Sequence, residues 1–202
     1  MAKRLFDMLF AMGGLIVFSP LWAIASRAVS KEDPGPVIYK GTRVGKDGRE
    51  FKMWKFRTMV QNADKIGGPS TAADDPRLLK CSHWIRRYKI DELPNLVNVL
   101  KGDMSIVGPR PEVKFYTDMY SPEERGLLSV RPGMTDWASI RFRNEGEILK
   151  GAADPEKAYM EKIRPEKIRL GLEYVRRRSM ATDIAIIAAT VRAVFANRRS
   201  AA

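Results

Sequence analysis

The spacing of apolar residues changes several times along the chain, and each change marks an element. Leu5 to Ala28 is mostly apolar, interrupted by Asp7 and by Ser19-Pro20. Alternation takes over at Val37-Ile38-Tyr39 and across Phe51 to Phe56, the pattern of two short strands. Asp47-Gly48 lies between them and predicts a hairpin turn. Lys55 and Arg57 fall on one face of the second strand, within reach of one anion. Val60 to Pro76 has no period and reads as a mobile surface loop.

Helical spacing resumes from Arg77 to Lys89 through Cys81, Trp84, Ile85 and Tyr88. Leu93, Leu96, Val97 and Leu100 then recur at i, i+3, i+4 and i+7, one apolar helix face. Asp91 is the expected N-cap of that helix, with Pro94 in its first turn. Ser105 to Val107 reads as a buried strand, and Gly108-Pro109-Arg110-Pro111 as a rigid loop around one arginine.

Glu112 to Leu128 looks helical around a break at Ser121-Pro122. Val130 to Thr135 reads as a turn and Trp137 to Arg143 as a strand bearing Arg141 and Arg143. A helix starts at Asp154 or Pro155, is interrupted by Pro165 and ends at Arg176-Arg177-Arg178. Asp183 is the expected cap of a last apolar helix, Ile184 to Phe195, followed by Arg198 and Arg199. The fold class expected is α+β, mostly helical, with a small β-hairpin or sheet and interfacial amphipathic helices. Residues 1–33 form a membrane segment, and residues 34–202 a compact domain with no internal repeat or linker after residue 36.

Three structures suit the N-terminal run. A signal peptide explains the basic start, and a spanning helix requires about 20 apolar residues. A re-entrant helix instead bends at Ser19-Pro20 and returns to the face it entered. Lys3 and Arg4 precede the run, and Arg27 and Lys31 follow it, so both flanks are basic. That symmetry favours re-entry, since cytoplasmic flanks are the basic ones. Pro20 gives the bend a cause, and the Ser19 hydroxyl can satisfy a freed carbonyl.

Composition adds a sign to the partner. Lys and Arg number 36 against 24 Asp and Glu, a net charge of +12. An anionic partner follows: nucleic acid, an acidic membrane face or a phosphorylated substrate. No nucleic-acid module or aromatic-basic platform stands in the sequence, so nucleic acid is not expected. Cys81 is the single cysteine and permits no disulfide within the chain. His83 is the single histidine, which leaves little basis for a histidine zinc site or a Ser-His-Asp triad.

Asp91-Glu92 is the one acidic pair set among cations: Arg86, Arg87 and Lys89 before it, Arg110 after it. A helix cap is the plain structural role. The chemical role is phosphate handling: a carboxylate attacks phosphorus in two-step covalent catalysis. Its neighbour helps hold Mg²⁺, which takes carboxylate and phosphate oxygens. Lys55, Arg57, Arg86, Arg110, Arg131, Arg141 and Arg143 are the candidates to stabilise a diphosphate and its leaving group. Phosphoryl or phosphoglycosyl transfer fits these residue types. An aspartyl-phosphate hydrolase or a non-catalytic basic scaffold uses the same residues differently.

Several ordered motifs carry a resemblance over nearly the whole chain. They are the basic start with Asp7 and Ser19-Pro20, Gly35-Pro36-Val37, and Lys55-Phe56-Arg57-Thr58-Met59. Ile90-Asp91-Glu92-Leu93-Pro94, Asn98 to Met104, Gly108 to Pro111 and Arg131-Pro132-Gly133 follow in order. Together they resemble the bacterial sugar transferases, small monotopic polyprenyl-phosphate phosphoglycosyl transferases. The resemblance implies that Asp91 attacks the β-phosphate of a UDP-sugar, releases UMP, and passes the phosphosugar to polyprenyl phosphate. It implies Asp91 and Glu92 at a Mg²⁺ site, and a re-entrant helix broken at Ser19 and Pro20. It places the protein in the bacterial inner (cytoplasmic) membrane among anionic phospholipids, with the catalytic domain on the cytoplasmic face. A homodimer is left open. Met134 to Arg143 departs from the family pattern, replacing glycines with Asp136 and Phe142, and is expected to shape sugar preference.

Overall fold

A computed structural model describes residues 1–66 and 70–196. Two helices open the chain, α1 (Ala2–Val17) and α2 (Ser19–Glu32), meeting at a 62° bend. The break falls at Phe18, one residue before the Ser19-Pro20 expected from sequence. Pro20 has no N–H to give the Ile16 carbonyl four residues back, and the Ser19 hydroxyl donates to that oxygen instead at 2.8 Å. Among the described residues no single helix is long and apolar enough to cross a membrane; the bent pair meets that test only together. Leu5, Leu9, Met12, Ile16 and Val17 leave one side of α1 exposed and apolar.

The opposite side of α1 is bound to the core by polar anchors as well as by Ala11 and Leu15. Buried Asp7 accepts from the Ser105 hydroxyl and from the Ile106 N–H at 3.0 Å. Arg4 caps the end of a later helix by donating to the Val99 and Leu100 carbonyls. Lys3 pairs with Asp183 at 2.6 Å.

The hairpin is as the alternation predicts, but longer. β1 (Ile38–Val44) runs antiparallel to β2 (Glu50–Phe56), with Tyr39 opposite Lys55 and Arg43 opposite Phe51. Asp47 (φ 58°) and Gly48 (φ 74°) occupy the left-handed region in the turn, as an Asp-Gly pair does readily. The aperiodic stretch after it includes a short α3 (Ala63–Ile66) and a buried Ala72.

Helix α4 (Ser82–Arg87) is shorter than the spacing from Arg77 suggests, because Leu78 pairs with Met59 as an isolated bridge. Lys89 then adopts φ 57°, turning the chain into a 3₁₀ turn over Ile90–Glu92. Helix α5 (Asn95–Lys101) follows and ends at Gly102, φ 91°. Asp91 is therefore not an N-cap: it sits within the 3₁₀ turn and makes no capping bond. Buried Asn98 fixes α5 to β2, accepting from the Trp54 N–H and donating to the Lys52 carbonyl. Leu96 and Val99 pack with Met53, Ile106, Val107 and Tyr174 in the main core.

The second sheet corrects the sequence reading. β3 (Ser105–Val107) is buried as expected, but its parallel partner is β4 (Gly133–Thr135), in the stretch expected to be a turn. Three residues are too few for a visible alternation, and pairing rather than pattern makes them a strand. A Cβ on Gly133 would lie 2.0 Å from the Gly108 nitrogen, so only glycine admits this approach. Trp137 to Arg143 is not a strand either; it begins α7 (Trp137–Arg141), because Asp136 caps it by accepting from the Ser139 N–H at 2.6 Å.

Only α6 (Lys114–Thr117) and a 3₁₀ turn at Glu124–Ser129 form in the region expected to be helical up to Leu128. After α8 (Glu145–Leu149), α9 (Pro155–Lys162) and α10 (Arg164–Arg177) divide near Pro165 as expected. Helix α11 (Met180–Ala196) starts earlier than Ile184. Asp183 lies inside its first turn, buried, accepting from the Tyr174 hydroxyl at 2.8 Å as well as from Lys3. The capping bond comes from the Ser179 hydroxyl, which accepts from the Thr182 N–H. Arg198 and Arg199 lie outside the described residues. The described residues are mostly helical α+β, with two small two-stranded sheets.

Candidate active site

The left-handed turn at Lys89 and the packing of Ile90 against Phe56 and Ile85 carry Asp91 and Glu92 into the interior, under β2. A non-glycine residue at positive φ costs energy and persists where packing on both sides enforces it. Glu92 is held by two cations. Lys55 Nζ lies 3.2 Å from its Oε1; Arg110 Nη2 lies 2.5 Å from Oε1 and Nη1 3.2 Å from Oε2. Lys55 comes from β2, and Arg110 from the proline-flanked loop that leaves β3. Asp91 has no such partner: its buried Oδ1 makes no hydrogen bond.

The two carboxyl groups titrate in opposite directions. Burial and then the Glu92 charge push Asp91 above its ordinary range, against the pull of Lys55, Lys89 and Arg86. Burial acts on Glu92 in the same sense, but Arg110 and Lys55 override it and hold Glu92 well below its ordinary value. Burial brings the Lys55 ammonium down to about 8, although Glu92 opposes the shift. The pair thus consists of a locked carboxylate beside an unbound, proton-sensitive one.

The other candidates divide by position. Arg86 is near enough to draw the Asp91 pKa down. Arg57 does not share an anion with Lys55; it binds the carboxylate and carbonyl of Asp33, at the end of α2. Arg131 is exposed and donates to the Gly102 carbonyl, at the far end of α5. Arg141 faces Glu166 at 3.6 Å on the surface. Arg143 has a buried nitrogen without a partner but does not line the cleft described next. Arg57, Arg131 and Arg141 thus bond to groups outside the acidic pair, and Arg143 keeps a nitrogen unpartnered.

Lys55 and Arg110 also wall a cleft that continues past Arg43, Glu112, Asp136, Ser139, Glu145 and Lys167. Arg43 escaped the sequence reading because β1 was ended too early. Extended to Val44, the hairpin register puts Arg43 on the face of Lys55. Glu112 accepts from Tyr120 at 2.9 Å and from Tyr159 at 3.0 Å, and Lys167 pairs with Glu145 at 2.5 Å.

Among the described residues no cluster of three or more His, Cys, Asp or Glu side chains could hold a metal by itself. Two adjacent carboxylates, one with an unpartnered oxygen, instead suit Mg²⁺ completed by phosphate and water oxygens. The donor set fits a cation delivered with a phosphorylated substrate.

Residues 1–197 match the family described as bacterial sugar transferase. The chain belongs to that family. It is 39% identical over 201 residues, 97% of its length, to UDP-glucose:undecaprenyl-phosphate glucose-1-phosphate transferase of Escherichia coli. It is 35% identical over 196 residues, 96% of its length, to UDP-N-acetylgalactosamine-undecaprenyl-phosphate N-acetylgalactosaminephosphotransferase of Aeromonas hydrophila. It spans only 40% and 43% of those two proteins. Exopolysaccharide production protein ExoY of Sinorhizobium fredii is 32% identical over 214 residues, with 98% of this chain and 88% of that protein covered.

Proposed function

We propose that this bacterial sugar transferase moves a sugar phosphate from a UDP-sugar to polyprenyl phosphate, with Asp91 as the covalent nucleophile. The observation that carries the reading is the contrast within the acidic pair. Glu92 is spent on Lys55 and Arg110, whereas Asp91 keeps a buried oxygen that bonds to nothing. The names of relatives that cover most of this chain supply the donor and acceptor classes.

In the first step an Asp91 carboxylate oxygen attacks the β-phosphorus. The bond to the bridging oxygen breaks, and the electron pair leaves with UMP. In the second step a phosphate oxygen of the polyprenyl phosphate attacks the same phosphorus and expels the Asp91 carboxylate. Lys55 and Arg110 stabilise the charge that grows on the phosphoryl oxygens. Asp91, with Glu92 beside it once a diphosphate has drawn Lys55 and Arg110 away, would hold Mg²⁺, which would neutralise the diphosphate charge. The exposed apolar side of α1 and the bend at Phe18 suit a re-entrant helix that brings the site to the headgroup level of the membrane.

Incubation with UDP-sugars, Mg²⁺ and polyprenyl phosphate tests this through UMP release. UMP and a polyprenyl-diphosphate sugar are the expected products. Asp91→Asn is expected to lower the rate by at least roughly 10³-fold. UMP release at the wild-type rate by that variant would remove Asp91 from the nucleophile's role. Release of free sugar phosphate without lipid acceptor would make the protein a hydrolase.

A further inference from the structure

The cleft beside the acidic pair contains a hydroxyl without a well-formed hydrogen bond in the protein. Ser139 lines it from the first turn of α7, and its buried Oγ has no hydrogen-bond partner. One turn back, the Asp136 carboxylate is 2% exposed; Oδ1 accepts from the Ser139 N–H, and the Ser139 side chain faces the same carboxylate. A buried hydroxyl without a good partner is costly, and it persists where a ligand supplies one. Lys55 and Arg110 stand on another wall of the same cleft, so a phosphate held there has its substituent within the cavity.

Resting on the donor reading above, we infer that Asp136 and Ser139 bind hydroxyl groups of the donor's sugar and set which sugar is accepted. The cleft is lined by the carboxylates of Glu112, Asp136 and Glu145, which accept hydrogen bonds. A pyranose offers several O–H donors to such a wall, whereas uracil presents two carbonyl acceptors and a single N–H donor. The tyrosines that could stack on a base are unavailable for it: Tyr120 and Tyr159 are buried with their hydroxyls on Glu112. A wall of acceptors therefore matches the several donors of a sugar better than the one donor of uracil.

Ser139→Ala tests the assignment, because within the protein the oxygen it removes faces only the Asp136 carboxylate. Asp136→Asn, which keeps an oxygen for the Ser139 N–H, is the second variant. Calorimetric binding of UDP and of UDP-glucose, UDP-galactose and their N-acetylhexosamine counterparts is measured on wild type and both variants. UMP release is followed in parallel. Ser139→Ala is expected to weaken the best UDP-sugar about tenfold, leave UDP within twofold, and change the ranking of sugars. Equal weakening of UDP would give the cleft to the nucleotide, and unchanged binding of every ligand would leave Ser139 no role; either overturns the inference. A wild type that binds one UDP-sugar more tightly than UDP, and loses that preference in Ser139→Ala, but releases no UMP, would overturn the transferase reading and leave the sugar assignment standing.

Discussion

Arg110 and Glu92 meet through two nitrogens and two oxygens, at 2.5 and 3.2 Å, and Lys55 approaches the closer oxygen from β2. This pairing joins the proline-bounded loop after β3 to the 3₁₀ turn, and so fixes both cations in place. Preorganised charge of this kind avoids reorganisation during reaction.

Glu92→Gln leaves two cations facing each other with no anion between them. The side chains are partly buried, at 11% exposure for Glu92 and 31% for Arg110, so solvent screens some of the loss. A destabilisation of about 2 kcal/mol is expected from urea denaturation. An unchanged midpoint would mean that the pair contributes nothing to stability.

Asp91→Asn has the opposite sign. The folded-state pKa of Asp91 is raised, so its ionisation costs stability above that pKa and costs nothing when the group is protonated. The variant is expected to be at least as stable as wild type at pH 7, with the gain vanishing near pH 3. Loss of stability at neutral pH would show that the ionised carboxylate has a stabilising partner.

Lys55 titrates at about 8, below its ordinary 10.5. Below pH 8 its buried charge opposes folding, and that cost fades as pH rises toward 10.5. Glu92 contributes the reverse: its stabilisation holds above the ordinary carboxylate pKa and is lost as pH falls through its depressed value. For turnover, kcat/KM is expected to fall above about pH 8 as the free enzyme loses the Lys55 charge. Lys55→Arg should move that alkaline limb upward; a limb that stays in place assigns it to another group.

Gly133→Ala puts a methyl 2.0 Å from the Gly108 nitrogen and 2.4 Å from its carbonyl oxygen. Both contacts are backbone, which cannot swing aside. Parting β3 from β4 also displaces the Arg110 loop. A loss of roughly 3 kcal/mol in chemical denaturation is expected, together with weaker donor binding.

Pro20→Ala gives the Ile16 carbonyl a backbone donor and allows α1 to continue into α2. In vesicles, thiols introduced by Ala2→Cys and by Ser30→Cys in a Cys81→Ser background should label from one side. Adding Pro20→Ala should carry the first thiol to the other side in part of the population. Labelling from the same side throughout would show that Asp7, Lys3 and Arg4 hold α1 in place without help from the bend.

Much of the site was legible because local chemistry announces itself. Charge beside charge exposed Asp91-Glu92, prolines on both sides exposed Arg110, and alternation exposed Lys55. The partners of Arg57, Arg131 and Arg141 were not legible, because Asp33, the Gly102 carbonyl and Glu166 lie 24 to 29 residues away in the chain. Asp183 illustrates the same point, since an aspartate before an apolar helix looks like a cap until Tyr174 and Lys3 are found on it.

The sequence by itself determined the hairpin, the proline break, the basic balance and the acidic pair. Each follows from contacts within a few residues: φ constraints at Asp47-Gly48 and Pro20, and period along a strand or helix. Tertiary structure alone decided that Gly133 to Thr135 is a strand, that α1 is fastened to β3 by Asp7, and that Asp91 is the member of its pair left unbound. Those outcomes depend on groups dozens of residues apart meeting within hydrogen-bond range. The acidic pair therefore shows a contrast that no local pattern contains: Glu92 gathers the cations, and Asp91 keeps a buried oxygen unbound.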